Sequence, residues 1–225
     1  MNDVSKEFLR FAIDSKVIQF GEFITKAGRR SPYFFNAGLF NDGQNLSRIA
    51  NFFASTIINS GIEFDMLFGP AYKGITLASA TAVALASKGK NVAFAYNRKE
   101  KKEHGEGGSL VGATMRGRVV IIDDVISAGT SIGESIEIIR MAGAEPVAVF
   151  VALDRMERIA EEGSLSANSA ILEIKRMHGI PVIAVANLND LFEMLDASSA
   201  PQEIAQYKSA VSLYRERYGV GTRTV

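Results

Sequence analysis

A run of four β-branched residues, Val119-Val120-Ile121-Ile122, is followed at once by two carboxylates, Asp123 and Asp124. A continuous apolar run of this length reads as a strand covered on both faces, which is the situation inside a parallel sheet. The small residues Ser127 to Ser131 come next, and then a helical pattern from Ile132 to Met141. A strand that ends in acids, turns through a hydroxyl-rich loop and enters a helix has a chemical logic. The helix N-terminus offers unpaired N–H groups and partial positive charge to an anion. Gly129 allows close backbone approach, and Ser127, Thr130 and Ser131 add hydroxyl donors. Asp123 and Asp124 repel phosphate, but they accept hydrogen bonds from sugar hydroxyls or sit near a metal that bridges to phosphate. The pattern points to a ligand that is both a sugar and a phosphate. The plainer alternative is a strand-to-helix turn with solvent-facing acids and a Thr cap.

The rest of the chain alternates between strand and helix patterns. Lys6 to Phe20 is expected as a helix, Glu22 to Gly38 as a β-hairpin, and Ser47 as the N-cap of a helix ending near Gly61. Strands are expected at Asp65–Gly69, Asn91–Tyr96, Arg118–Asp123, Pro146–Leu153 and Val182–Ala186. Helices are expected at Gly74–Ser87, Thr130–Ala142, about Ala167–His178, Leu188–Leu195 and Pro201–Arg217. Such alternation predicts an α/β fold with a central, mainly parallel sheet flanked by helices. Ligands in these sheets lie outside the carboxyl ends of the strands. The length of 225 residues fits one domain.

Two further clusters fall on that rim. Gly69-Pro70-Ala71-Tyr72-Lys73-Gly74 follows a strand, and its small residues and lone lysine suit close approach to a pyrophosphate; as an isolated motif it is equally a turn. Arg98 to Ser109 holds four basic residues, one histidine, three glycines and no apolar side chain. Such a stretch reads either as a solvated loop or as a mobile lid that brings positive charge over pyrophosphate. In the hairpin, Phe34 and Phe35 must point to opposite faces, so at least one belongs to the core. Formal net charge is zero, with 25 basic and 25 acidic residues, so bulk electrostatics favour neither nucleic acid nor a membrane surface. The absence of cysteine excludes disulfides, thiol catalysis and cysteine metal sites. With no signal-like segment and no span-length apolar run, a soluble, cytoplasmic protein is expected.

The stretch from Val119 to Ser131 resembles the ribose-5-phosphate loop of the type I phosphoribosyltransferases. The hairpin FITKAGRRSPYFFNAG, the loop GPAYKG and the segment RKEKKEHGEGG narrow the resemblance to the orotate phosphoribosyltransferases, over nearly the whole chain. That resemblance implies the type I fold in one domain, residues 1–225, with N-terminal hood elements around residues 1–40. It implies transfer of phosphoribosyl from phosphoribosyl pyrophosphate to orotate, giving orotidine 5'-monophosphate and pyrophosphate in pyrimidine biosynthesis. Mg²⁺ is the implied cofactor, held mainly through the phosphoribosyl donor, so no protein ligand is assigned to it. A homodimer sharing its lid across the interface is also implied.

By the same resemblance, Asp123, Asp124, Val125, Ile126, Ser127, Ala128, Gly129, Thr130 and Ser131 bind ribose and its 5-phosphate. Tyr72 and Lys73 contact the pyrophosphate side, and Arg98, Lys99, Lys102 and His104 close over the donor. Lys26, Phe34, Phe35 and Arg155 surround orotate, and Arg155 suits its carboxylate because guanidinium pairs with carboxylate bidentately. Lys26, Lys73, Lys102, Asp123 and Asp124 are the catalytic candidates. Ser127 stands where the family usually has Thr, which keeps the hydroxyl and loses a methyl. Two rival readings stay open: a phosphoribosyltransferase for another base, and a non-catalytic regulator of the same fold.

Overall fold

The computed structural model describes residues 1–25, 27–102, 108–126, 129–161, 164–197 and 201–220, apart from the side chains of residues 100–102, 108, 160 and 161. Helix α1 (Asp3–Asp14) is capped by the Asn2 side chain, which accepts from Ser5 N–H. It stops well before Phe20, contrary to the sequence expectation. Lys16 takes a left-handed backbone (φ +57°), and the chain turns directly into strand β1 (Ile18–Ile24). Ile18 and Phe20 then pair with Phe35 and Tyr33 of antiparallel β2 (Arg30–Phe35). Cross-strand pairing overrides what looks like helical spacing over a short apolar run. Helix α2 (Gly43–Ser60) starts four residues ahead of Ser47, because the Asp42 carboxylate accepts from Asn45 N–H at 2.8 Å. It ends at left-handed Gly61, as expected.

The central sheet is built from β3 (Met66–Gly69), β4 (Ala93–Lys102), β5 (Gly108–Gly112), β6 (Arg118–Val125), β7 (Glu145–Asp154) and, after the β8 (Arg158–Glu161) and β9 (Ser164–Ser169) hairpin, β10 (Val182–Asn187). Its strand order is β10-β7-β6-β3-β4-β5, parallel throughout except for β5 against β4. Helices α3 (Lys73–Ser87), α4 (Thr130–Met141), α5 (Ala170–His178), α6 (Leu188–Asp196), α7 (Gln202–Ala205) and α8 (Lys208–Tyr218) complete the chain.

The β6 run is buried as its composition requires. Val120 and Ile122 join the core beneath α1, α2, α3 and α6, while Val119 and Ile121 join the core beneath α4 and α5. All four are fully buried. Each such side chain contributes about 1.5–3 kcal/mol, so the strand next to the acid pair is held from both faces.

Three further expectations are corrected. Arg98–Ser109 is not simply a loop: β4 runs on through Lys102 and β5 returns from Gly108, with Lys102 paired to Gly108. An antiparallel edge ladder satisfies its backbone without burying side chains, so a polar composition does not forbid it. The β8–β9 hairpin was not anticipated, and α5 starts only at Ala170, capped by Ser169. The closing segment is two helices, with Tyr207 between them stacked on Phe20 at 5.3 Å.

Candidate active site

Strand β3 lies between β4 and β6, and its helix α3 packs into one core while the α4 that follows β6 packs into the other. The β3–α3 and β6–α4 loops therefore leave the sheet side by side and part to opposite faces. A crevice opens between them at the carboxyl ends of the strands, where such sheets bind ligands. It is a cavity of about 880 Å³ lined by Pro70 and Ala71, by Asn97, Arg98 and Lys99 of β4, and by Asp123 and residues 129–132.

The floor of the crevice is tightly fitted. A Cβ on Gly69 would collide with the Gly74 carbonyl, and one on Gly74 would lie 2.5 Å from Pro70 Cδ and 2.8 Å from Ile122 O. Gly69 lets the first turn of α3 lie on the end of β3, and Gly74 lets the β3–α3 loop lie against β6. Ala71 N–H donates to Asn97 Oδ1 at 2.9 Å, tying the loop to β4 on its other side. The Ala71–Tyr72 peptide bond is cis. Lys99 Nζ sits 5.1 Å from the centre of the exposed Tyr72 ring.

Lys73 Nζ reaches across the crevice to Asp124 Oδ2 at 2.6 Å. Asp124 is buried, while Lys73 is half exposed and so remains able to meet a ligand. The acid pair is braced by its own backbone: Asp124 N–H donates to Asp123 Oδ1, and Val125 N–H to Asp124 Oδ1, each at 2.9 Å. Burial, and then the neighbouring Asp124 charge, push the Asp123 carboxyl up to about 7, against the pull of Lys73. Among the described residues no cluster of three His, Cys, Asp or Glu side chains could enclose a metal.

Gly129 takes a left-handed backbone (φ +81°) and opens α4 with no side-chain cap. The first N–H groups of α4 thus face the crevice beside Thr130 and Ser131. Arg98 is part-buried on the opposite wall, and its Nη1 is buried with no hydrogen-bond partner among the described residues. A buried donor left unpaired is costly unless a ligand takes it.

The remaining sequence candidates fall into three groups. Val125 and Ile126 line the crevice. Phe34 is 36% exposed and stacks on Phe23 at 5.5 Å, whereas the Phe35 ring is in the core against Phe40, leaving its backbone as the part a ligand could meet. Arg155 does not line the cavity; it follows β7 on the same rim, one strand beyond the acid pair, held by Glu157, Ser31 and Tyr214. Lys26, His104, Ser127 and Ala128 lie outside the described residues, as does the Lys102 side chain.

Sequence reasoning missed Asn97, Glu157 and Tyr214. For Asn97 a signal existed: a polar residue directly after an expected strand end, on the rim already chosen. Glu157 and Tyr214 carry no such mark.

The phosphoribosyl transferase domain family matches residues 37–170. The orotate phosphoribosyltransferase of Janthinobacterium sp. (strain Marseille) is 64% identical over 98% of this chain and 100% of its own length. That of Cupriavidus metallidurans is 60% identical over 97% of each chain. The crystal structure of orotate phosphoribosyltransferase from Francisella tularensis superposes with a TM-score of 0.82 at 39% identity, covering 95% of this chain and 99% of that one.

Proposed function

We propose, from the premise that this chain belongs to the orotate phosphoribosyltransferases of the phosphoribosyl transferase family, that it joins orotate to phosphoribosyl pyrophosphate, giving orotidine 5'-monophosphate and pyrophosphate. The observation that carries this reading at the site is the Lys73–Asp124 pair, which unites a pyrophosphate-type loop and a ribose-phosphate loop across one crevice.

In this reading the 5-phosphate takes the open N-terminus of α4 with Thr130 and Ser131. Asp123 and Asp124 accept from the ribose hydroxyls, and their charge favours the positive ring that develops as the bond from C1 to pyrophosphate breaks. Lys73, Arg98 and Lys99 offset the negative charge gathering on pyrophosphate, joined by Lys102 and His104 when the β4–β5 ribbon closes. A ring nitrogen of orotate forms the new bond to C1, so no enzyme nucleophile is needed. Lys26, Phe34 and the Phe35 backbone border the base, and Arg155 faces the orotate carboxylate. Excluding water protects the reacting centre from hydrolysis.

The acid pair suits Mg²⁺ that arrives on the substrate: Asp124 is already engaged by Lys73, and Mg²⁺ commonly keeps waters and phosphate oxygens as ligands. When bound, the ion supplies charge neutralisation of the diphosphate. Residues 1–225 act as one phosphoribosyltransferase domain, with α1, β1 and β2 as its hood. The homodimer belongs to the same reading, on the family resemblance. No helix among the described residues is long and apolar enough to cross a membrane. The family resemblance, rather than that absence, is the ground for assigning the reaction to the cytoplasm.

The test is to mix the protein with phosphoribosyl pyrophosphate and Mg²⁺ against orotate, uracil, adenine and hypoxanthine. Loss of orotate absorbance with equal release of pyrophosphate is expected for orotate alone. Turnover of a purine instead would overturn the base assignment, and no turnover of any base would favour a ligand-binding regulator.

A further inference from the structure

Arg155 is held more firmly than a surface arginine facing a ligand needs to be. Its Nε–H donates to Glu157 Oε1 at 2.6 Å, and its Nη2 donates to Ser31 Oγ and to Tyr214 Oη, each at 3.3 Å. Its plane lies over the Tyr33 ring, 4.8 Å from the centroid. The two hydroxyls that accept from it are themselves fixed. Tyr214 Oη donates to Glu157 Oε1 at 2.8 Å, and Ser31 Oγ donates to Tyr33 O at 2.6 Å. Glu157 also takes a second arginine on its other oxygen: Arg29 Nη1 lies 3.2 Å from Oε2, and Arg29 is buried, with its Nη2 on Arg158 O at 2.7 Å.

One carboxylate therefore gathers three parts of the chain. Arg29 and Ser31 come from the hood hairpin, Arg155 from the end of β7, and Tyr214 from the C-terminal helix α8. Among the described residues Nη1 is the only nitrogen of the Arg155 guanidinium that makes no hydrogen bond to the protein. The bonds at Nε and Nη2 set the direction of that last nitrogen in advance.

We infer that Glu157 is a positioning residue for base recognition: with Tyr214 of α8 it clamps Arg155 so that Nη1 is presented to the carboxylate of the pyrimidine. This gives the C-terminal helix a share in substrate selection, although it lies outside the crevice. The inference rests on the reading above that Arg155 receives the orotate carboxylate. A guanidinium free to rotate would bind the carboxylate only after losing that freedom, whereas a clamped one has lost it already.

Binding of orotidine 5'-monophosphate and of uridine 5'-monophosphate, which differ only in the carboxylate, separates positioning from general structure. In calorimetry, Glu157→Gln weakens orotidine 5'-monophosphate by about tenfold and Tyr214→Phe by about threefold, in line with loss of charge-assisted and neutral hydrogen bonds. Uridine 5'-monophosphate affinity stays unchanged in both. Arg155→Ala serves as the reference and abolishes the preference between the two nucleotides. If Arg155→Ala keeps that preference, the placement of Arg155 at the carboxylate is wrong and the clamp falls with it. If Arg155→Ala abolishes the preference while Tyr214→Phe and Glu157→Gln leave it intact, or weaken both nucleotides equally, Glu157 is structural only. Should Glu157→Gln fail to fold, Tyr214→Phe decides alone, because it removes one hydroxyl and keeps the buried ion pairs.

Discussion

Replacing Asp123 with asparagine isolates what the acid pair costs the folded protein. The Asp123 carboxyl titrates from 3.8 in the unfolded chain to about 7 in the fold, so the folded state holds its proton more tightly. Stability is therefore lost as pH rises from about 4 to about 7, and stays lost above that. Three pH units correspond to about 4 kcal/mol as an upper bound. Exchange of charge between the two acids and the pull of Lys73 bring a working figure to about 2 kcal/mol. Asparagine keeps an oxygen for the Asp124 N–H and has no charge to bury. Asp123→Asn should melt higher than the parent by about 4–8 °C at pH 8, and by little at pH 4.5. Turnover should fall, because the charge facing the ribose ring is gone. Thermal unfolding of both proteins at the two pH values is the assay. An equal difference at both pH values, or a less stable variant at pH 8, would refute the claim that burying this charge is costly.

Two further substitutions probe the crevice floor. Gly74→Ala must push a methyl against Pro70 Cδ and the Ile122 carbonyl, and the backbone atom cannot give; a loss of about 1–3 kcal/mol is expected in denaturant unfolding, with weaker binding of phosphoribosyl pyrophosphate. Gly133→Ala in α4 meets nothing within 4 Å and should instead stabilise by about 0.5–1 kcal/mol, which makes it the matching control. Asn97→Ala frees the Ala71 N–H and should raise KM for phosphoribosyl pyrophosphate about tenfold with KM for orotate unchanged, as steady-state kinetics with each substrate varied would report.

Local chemistry made part of this protein legible from its residues alone. The β-branched run at 119–122, the acids that end it and the small residues after them are contiguous, so their roles as strand, rim and helix entry follow from neighbours in the chain. The alternation of strand and helix likewise announced a mainly parallel sheet, because each pattern is short-range. What tertiary structure alone decided are the partnerships between distant residues. Lys73 finds Asp124 because β3 and β6 are neighbours in the sheet, which no local period encodes. The β4–β5 ribbon forms where composition suggested an unpaired loop or lid, since ladder hydrogen bonds satisfy the backbone whatever the side chains are. Glu157 meets Arg29, Arg155 and Tyr214 only after hood, sheet and last helix have closed together. Contact between segments far apart in sequence depends on how the packed layers come together, and single residues carry no mark of it beforehand.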